Sequence, residues 1–210
     1  MPRIMQTEVF KFSELDDSAK ERARDWYREG ALDYEWWDCI FDDAKECLAL
    51  AGFEVRNIYF SGFSYQGDGA VFNGEWHANK AQPVKAMKAH APKDKDLHAI
   101  AAEARAIAKL RPDASMATAR RIRGYYFGRD DVSAHCERED DGVERTSAEW
   151  DARGKDDDAI EERIVELARD AAHWIYRQLE REYEWLMSDE QVDESIIAND
   201  YEFTEEGKRA

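Results

Sequence analysis

Apolar residues return every three to four positions over the longer stretches of this chain and alternate in a few short ones, which separates helices from strands. Over 13–29, Leu15, Ala19, Ala23 and Trp26 share one face. Ser13 is placed to cap this helix with Asp16 at the third position, Phe12 to staple it, and Gly30 to end it. Over 33–51, Trp36, Trp37, Ile40, Phe41, Ala44, Cys47 and Leu48 give a wide apolar face that stops at Gly52. The short link between the two predicts a helical hairpin. Segments 53–63 and 70–78 turn to β-rich, aromatic composition on either side of Ser64-Tyr65-Gln66-Gly67-Asp68-Gly69, the signature of a β-hairpin.

Residues 80–95, interrupted by Pro83 and Pro92, read as helix fragments or loop. A helix is predicted over 96–110, strands over 117–127 and 131–138, and loop over 139–155. The longest helix, 157–187, keeps Ile160, Ile164, Leu167, Ala171, Trp174, Ile175, Leu179 and Leu186 on one face for about eight turns. Ser188 and Gln191 then open a short helix through Asn199, and Tyr201 to Thr204 read as a strand or docked extension. This order predicts a single α+β domain over 1–210. An antiparallel sheet of about four strands is covered by helices, with an N-terminal helical hairpin and a long C-terminal helix.

Charge changes the picture. The net charge is −17, which argues against direct nucleic-acid binding and against anionic membranes, and fits a basic protein surface as partner. Residues 1–78 carry 8 basic and 16 acidic side chains, 79–129 carry 12 and 4, and 130–210 carry 10 and 27. A basic middle thus lies between acidic flanks. Cys39, Cys47 and Cys136 make an odd count without paired spacing, which predicts a reducing compartment, with Cys39 and Cys47 as packing residues on helices. No apolar run reaches the ~18 residues of a membrane span, and the N-terminus lacks a signal core. A cytoplasmic location is expected.

Within the charge, rows matter more than pairs. Asp17, Glu21, Asp25 and Glu29 recur every four residues but are matched by Lys20, Arg24 and Arg28. Asp158, Glu162, Glu166 and Asp170 recur likewise with only Arg163 and Arg169 beside them, and Asp38, Asp42 and Glu46 with only Lys45. Like charges at this spacing cost a few tenths of a kcal/mol per pair. They are tolerated most readily when a basic surface faces them, in the protein or on a partner; an ordinary solvated face is the alternative. One row gives a charge every ~6 Å, against one per ~1.7 Å of axis in duplex DNA. Approaching that density therefore needs rows from two helices together with the acidic clusters near 137–141 and 189–194 on one face.

Candidate chemistry is sparse. Tyr65, Gln66 and Asp68 sit in a loop whose glycines allow close backbone approach; the loop either holds a ligand or partner, or is simply a tight turn. His77 and His135 fall on predicted strands with Glu75 and Cys136 nearby, a conceivable metal or acid–base cluster or two structural histidines. His90, His98 and His173 add no constellation. No catalytic residue, metal set or cofactor is assigned, and an enzymatic role is not expected.

Three stretches resemble small proteins encoded by tailed phages and prophages. They are Lys11-Phe12-Ser13-Glu14-Leu15 continuing to Trp26-Tyr27-Arg28, Phe60-Ser61-Gly62-Phe63 leading to Gln66-Gly67-Asp68-Gly69-Ala70, and Tyr201-Glu202-Phe203-Thr204 continuing to Arg209. The resemblance implies a phage-related setting and an α+β fold, and some relatives carry an antitoxin label. It supplies no catalytic residues. Charge and resemblance together lead to the expectation of an acidic binding protein that inhibits a host nucleic-acid-handling or defence complex, of CRISPR-effector or restriction type. The alternatives are an antitoxin-like module using an apolar hairpin patch at Phe63 and Tyr65, and a ligand-binding or metal-dependent enzyme at His77, His135 and Asp68.

Overall fold

The computed structural model describes residues 8–120, 132–136 and 147–210, with side chains up to 117 and from 158 onward. In chain order the elements are β1 (Phe10–Lys11), α1 (Asp17–Gly30), α2 (Asp38–Leu50), β2 (Phe53–Phe60), β3 (Ala70–His77), α3 (Val84–His90), α4 (Lys95–Leu110), β4 (Ser115–Arg120), β5 (Val132–Cys136), α5 (Ser147–Leu186), α6 (Asp189–Ala198) and β6 (Glu202–Phe203). The fold is α+β, as the pattern predicts. Its contacts gather into two compact units: one spans Asp38 to Gln178, and the other joins the chain up to Trp37 with the chain from Leu179.

The first unit is built on a four-stranded antiparallel sheet in the order β2-β3-β4-β5. Phe53 faces Trp76 and Ile58 faces Phe72 across the β2–β3 hairpin, so one sheet face collects Phe53, Ile58, Phe72, Trp76 and Met116, all buried. Trp76 donates its indole N–H to the Ala51 carbonyl at 2.9 Å, which satisfies the one polar atom of a fully buried ring. Helix α2 packs on β2, α3 on α2, and α4 on α3. A short 3-10 turn over Ala78–Lys80 leads into residues 80–95, which hold the seven-residue α3 and an Asp94 cap whose carboxylate accepts the Leu97 N–H at 2.9 Å. Arg56 is an extra residue between the paired Val55 and Asn57, a bulge in β2.

The terminal unit pairs β1 with β6 in antiparallel register and packs α1 against α6. Its core is Phe12, Leu15, Ala19, Ala23, Val192, Ile196 and Phe203, with Phe10, Trp26, Tyr27 and Tyr201 packed around it. The alanines at 19 and 23 are fully buried and allow α6 to approach closely.

Several boundaries differ from the sequence reading. Ser13 does not cap α1. Residues 12–14 form a 3-10 turn, the chain extends at Leu15, and Asp16 is the cap, accepting the Ala19 N–H at 2.7 Å. Helix α2 starts at Asp38 rather than 33, after a turn in which Trp36 is buried and meets Trp37 edge-on at 5.7 Å. The predicted loop over 139–155 is helical from Ser147 onward. Apolar periodicity reports burial, not helicity, and the segment from Ser147 is rich in Ala, Glu, Lys and Arg, which sustain a helix without it. The remainder of that loop, and the predicted strand residues 121–127, 131, 137 and 138, lie outside the described residues.

Candidate functional site

The hairpin loop is a closed turn. Asp68 accepts the backbone N–H groups of Ser64 at 2.9 Å and Tyr65 at 2.8 Å through one carboxylate oxygen. The Asp68 N–H donates to the Tyr65 carbonyl, and Gly69 donates to the Ser61 hydroxyl. Gly67 sits at φ +104°, a conformation side chains disfavour. Beside the tip, Phe63 stacks on Tyr176 of α5 at 5.5 Å, and the Tyr176 hydroxyl donates to the Gly62 carbonyl. Asp68 therefore organises the loop, while Tyr65, 71% exposed, and Gln66 remain at the surface.

The second sheet face carries the predicted histidine. Glu54 and Glu75 are directly opposite each other on β2 and β3, and His77 follows two residues after Glu75. The His77 Nε2 lies 3.3 Å from Glu75 and 3.9 Å from Glu54. Both carboxylates are also held by side-chain cations, Glu75 by Arg56 and Glu54 by Lys80. The Lys80 hydrogen bond holds Glu54 below the ordinary carboxylate range. Backbone register runs the row from Glu75 through Ala117 on β4 to His135 on β5. His77 and His135 thus belong to strands two apart, with β4 between them. Asp68 lies just ahead of β3, at the end opposite His77.

A further trio joins residues that sequence spacing leaves apart. Asp43 and Cys47 are one helical turn apart on α2, and His90 is the last residue of α3. Their ligand atoms all lie within 4.8 Å of one another. Burial, with Asp43, Asp94 and Glu46 nearby, pushes the Cys47 thiol up to about 12, so it is no nucleophile at neutral pH.

The acidic rows find partial company. Asp38, Asp42 and Glu46 are exposed on α2, with Asp42 3.4 Å from Lys45. On α5, Asp158, Glu162 and Asp170 are exposed, while Glu166 is half-buried and 3.5 Å from Arg169. Glu166 and Asp170 line a groove of about 620 Å³ between α5 and α4, together with Asp96 and Glu103 of α4. Its floor includes Ile100, Leu167 and Trp174, and its rim also carries Arg163, Arg177 and His173. Arg163 bonds Glu103 at 2.8 Å, and the Trp174 indole donates to Asp94 at 2.8 Å, pinning α5 to the start of α4. The groove is thus lined by four carboxylates and two guanidinium groups over an apolar floor, with Glu103 held by Arg163 and Glu166 beside Arg169. Sequence reasoning found the α5 half of it; Asp96 and Glu103, in a segment that is basic on balance, gave no signal.

Among the described residues, no helix is long and apolar enough to cross a membrane. No curated protein and no solved structure matches the chain. One family does match, over residues 36–189, which takes in the sheet, the α4–α5 groove and both ligand trios. The chain belongs to that family, described as a domain of unknown function, DUF8835.

Proposed function

We propose that this is a cytoplasmic binding protein that presents an acidic helical surface to a basic protein partner. The observation that carries the reading is the α4–α5 groove, where the row of Glu166 and Asp170 meets Asp96 and Glu103 of a second helix. Carboxylates from two helices on one apolar floor make a denser negative surface than one row supplies. Lys or Arg side chains of a partner would find carboxylates for their heads and Ile100, Leu167 and Trp174 for their stems. The partner we propose is a host nucleic-acid-handling complex of the CRISPR-effector or restriction class. Its basic groove suits this charge, and the resemblance to small phage proteins supports that class.

The test is capture of host complexes on the immobilised full chain. Capture is expected to fall steeply as salt rises from roughly 50 to 300 mM and to be competed by duplex DNA. Reversing two charges, Glu162→Lys with Asp170→Lys, should weaken it by about tenfold or more. Capture indifferent to salt, DNA and charge reversal would leave the reading without support.

A further inference from the structure

Among the described residues, two sets of potential metal ligands lie in the unit from Asp38 to Gln178, and they differ in one decisive respect. The carboxylates of the Glu54–Glu75–His77 set are already met by Arg56 and Lys80. Among the described residues, no Lys or Arg pairs with Asp43, Glu46 or Asp94, the carboxylates around Cys47. One set is neutralised by the protein's own cations; the other is a concentration of negative charge with a thiol on its floor.

We propose that Asp43, Cys47 and His90 bind a thiophilic divalent cation, Zn2+ or one like it, with water completing a tetrahedron and the cation displacing the Cys47 thiol proton to solvent as the S–metal bond forms. The donor set is one sulfur, one imidazole nitrogen and one carboxylate oxygen, which suits zinc over the oxygen-preferring Mg2+ or Ca2+. Zinc–ligand bonds of about 2.0 to 2.3 Å at tetrahedral angles put neighbouring ligand atoms about 3.3 to 3.5 Å apart. The Cys47 sulfur lies 4.0 Å from Asp43 Oδ2 and all three ligand atoms lie within 4.8 Å of one another, so closure needs a shift of about half an ångström between Cys47 and Asp43 and of at most about 1.5 Å at His90. Such shifts are within reach of side-chain rotation at the exposed Asp43 and His90, while buried Cys47 holds still. The helix geometry favours it too: residues four apart share one helix face, so Asp43 and Cys47 converge, and His90 comes from the end of the neighbouring α3. The bound cation would tie α2 to α3. It would also place positive charge beside Glu46.

The experiment uses the full chain in a Cys39→Ser, Cys136→Ser background, where Cys47 is the sole thiol. The protein is stripped with a chelator, titrated with Co2+ and then with Zn2+. We expect one equivalent of Co2+ to produce thiolate-to-cobalt charge-transfer absorption, and Zn2+ to displace it. Zn2+ should raise the melting temperature, because it binds the folded state. His90→Ala, at an exposed position, should weaken Co2+ affinity by about tenfold or more with the fold intact by circular dichroism. Absence of the charge-transfer band overturns the proposal. So does a band that survives Cys47→Ser, or binding lost in His77→Ala but kept in His90→Ala, which would put the ion on the sheet.

Discussion

Gly207 and Asp68 show how single residues hold this chain's irregular parts. Gly207 sits at φ +79°, and a Cβ built there would lie 2.1 Å from the Ala19 carbonyl oxygen of α1. Gly207→Ala meets both strain and overlap against rigid backbone, and should cost about 2 kcal/mol or more by urea unfolding. A loss under half a kcal/mol would show that the tail does not sit on α1. Asp68→Ala orphans the Ser64 and Tyr65 N–H groups and should cost about 1 kcal/mol, whereas Gln66→Ala should be near neutral. Equal effects would contradict the closed-turn geometry. Of these two, only Asp68 was legible in the sequence, since Gly-Asp-Gly between two β-runs announces a turn. That Gly207 faces Ala19, nearly the whole chain away, has no local signature. The same holds for His90 beside Cys47: Asp43 and Cys47 carry the spacing of a shared helix face, but only folding brings α3 alongside.

In the terminal unit, α1 and α6 are joined by a fork. Arg24 donates from Nε and a terminal nitrogen to the two oxygens of Asp193, each at 2.7 Å, while its guanidinium lies 5.7 Å from the Phe12 ring centre. The Asp193 hydrogen bonds raise Arg24 further above its already high range. Lysine keeps the charge but not the planar fork, so Arg24→Lys should cost about 1 to 2 kcal/mol. A double-mutant cycle with Asp193→Asn should recover most of that as coupling; additive losses would deny the pairing. The start of α1 gives a pH test. The hydrogen bond that the Asp16 carboxylate accepts from the Ala19 N–H lowers Asp16 below the ordinary carboxylate value of 3.8. A depressed folded value means the stabilisation is complete above 3.8 and is lost as pH falls through the folded value. The stability gap between the wild type and Asp16→Ala should therefore shrink on acidification below about pH 4. A gap that widened would reverse the assignment. Sequence placed α1 itself correctly and its cap wrongly, because Ser13 and Asp16 both suit a cap and only the buried turn at Phe12 and Leu15 chooses between them. Ser188 was legible because no competing cap precedes it; its hydroxyl accepts the Gln191 N–H at 3.3 Å. The two-residue pairing of β1 with β6 was half visible, in the tail alone.

For the molecule as a whole, a net charge of −17 is a standing repulsion. Raising salt from about 0.01 to 0.15 M shortens the Debye length from about 30 to about 8 Å. The melting temperature should therefore rise with added NaCl, while partner binding weakens. Calorimetry showing a melting temperature that falls with salt would mean that internal ion pairs outweigh the repulsion. Fold class and charge map were readable from composition and periodicity, because both average over many residues. The groove was not, since it depends on which faces of α4 and α5 meet. The terminal unit has a consequence in the making of the protein. Phe12, Leu15, Ala19 and Ala23 emerge from the ribosome well ahead of Val192, Ile196 and Phe203, which cover them. At roughly 5 to 20 residues per second, that apolar stripe waits about ten to forty seconds for its cover. Nascent chains stalled before residue 192 should thus be the ones that chaperones hold and proteases clear.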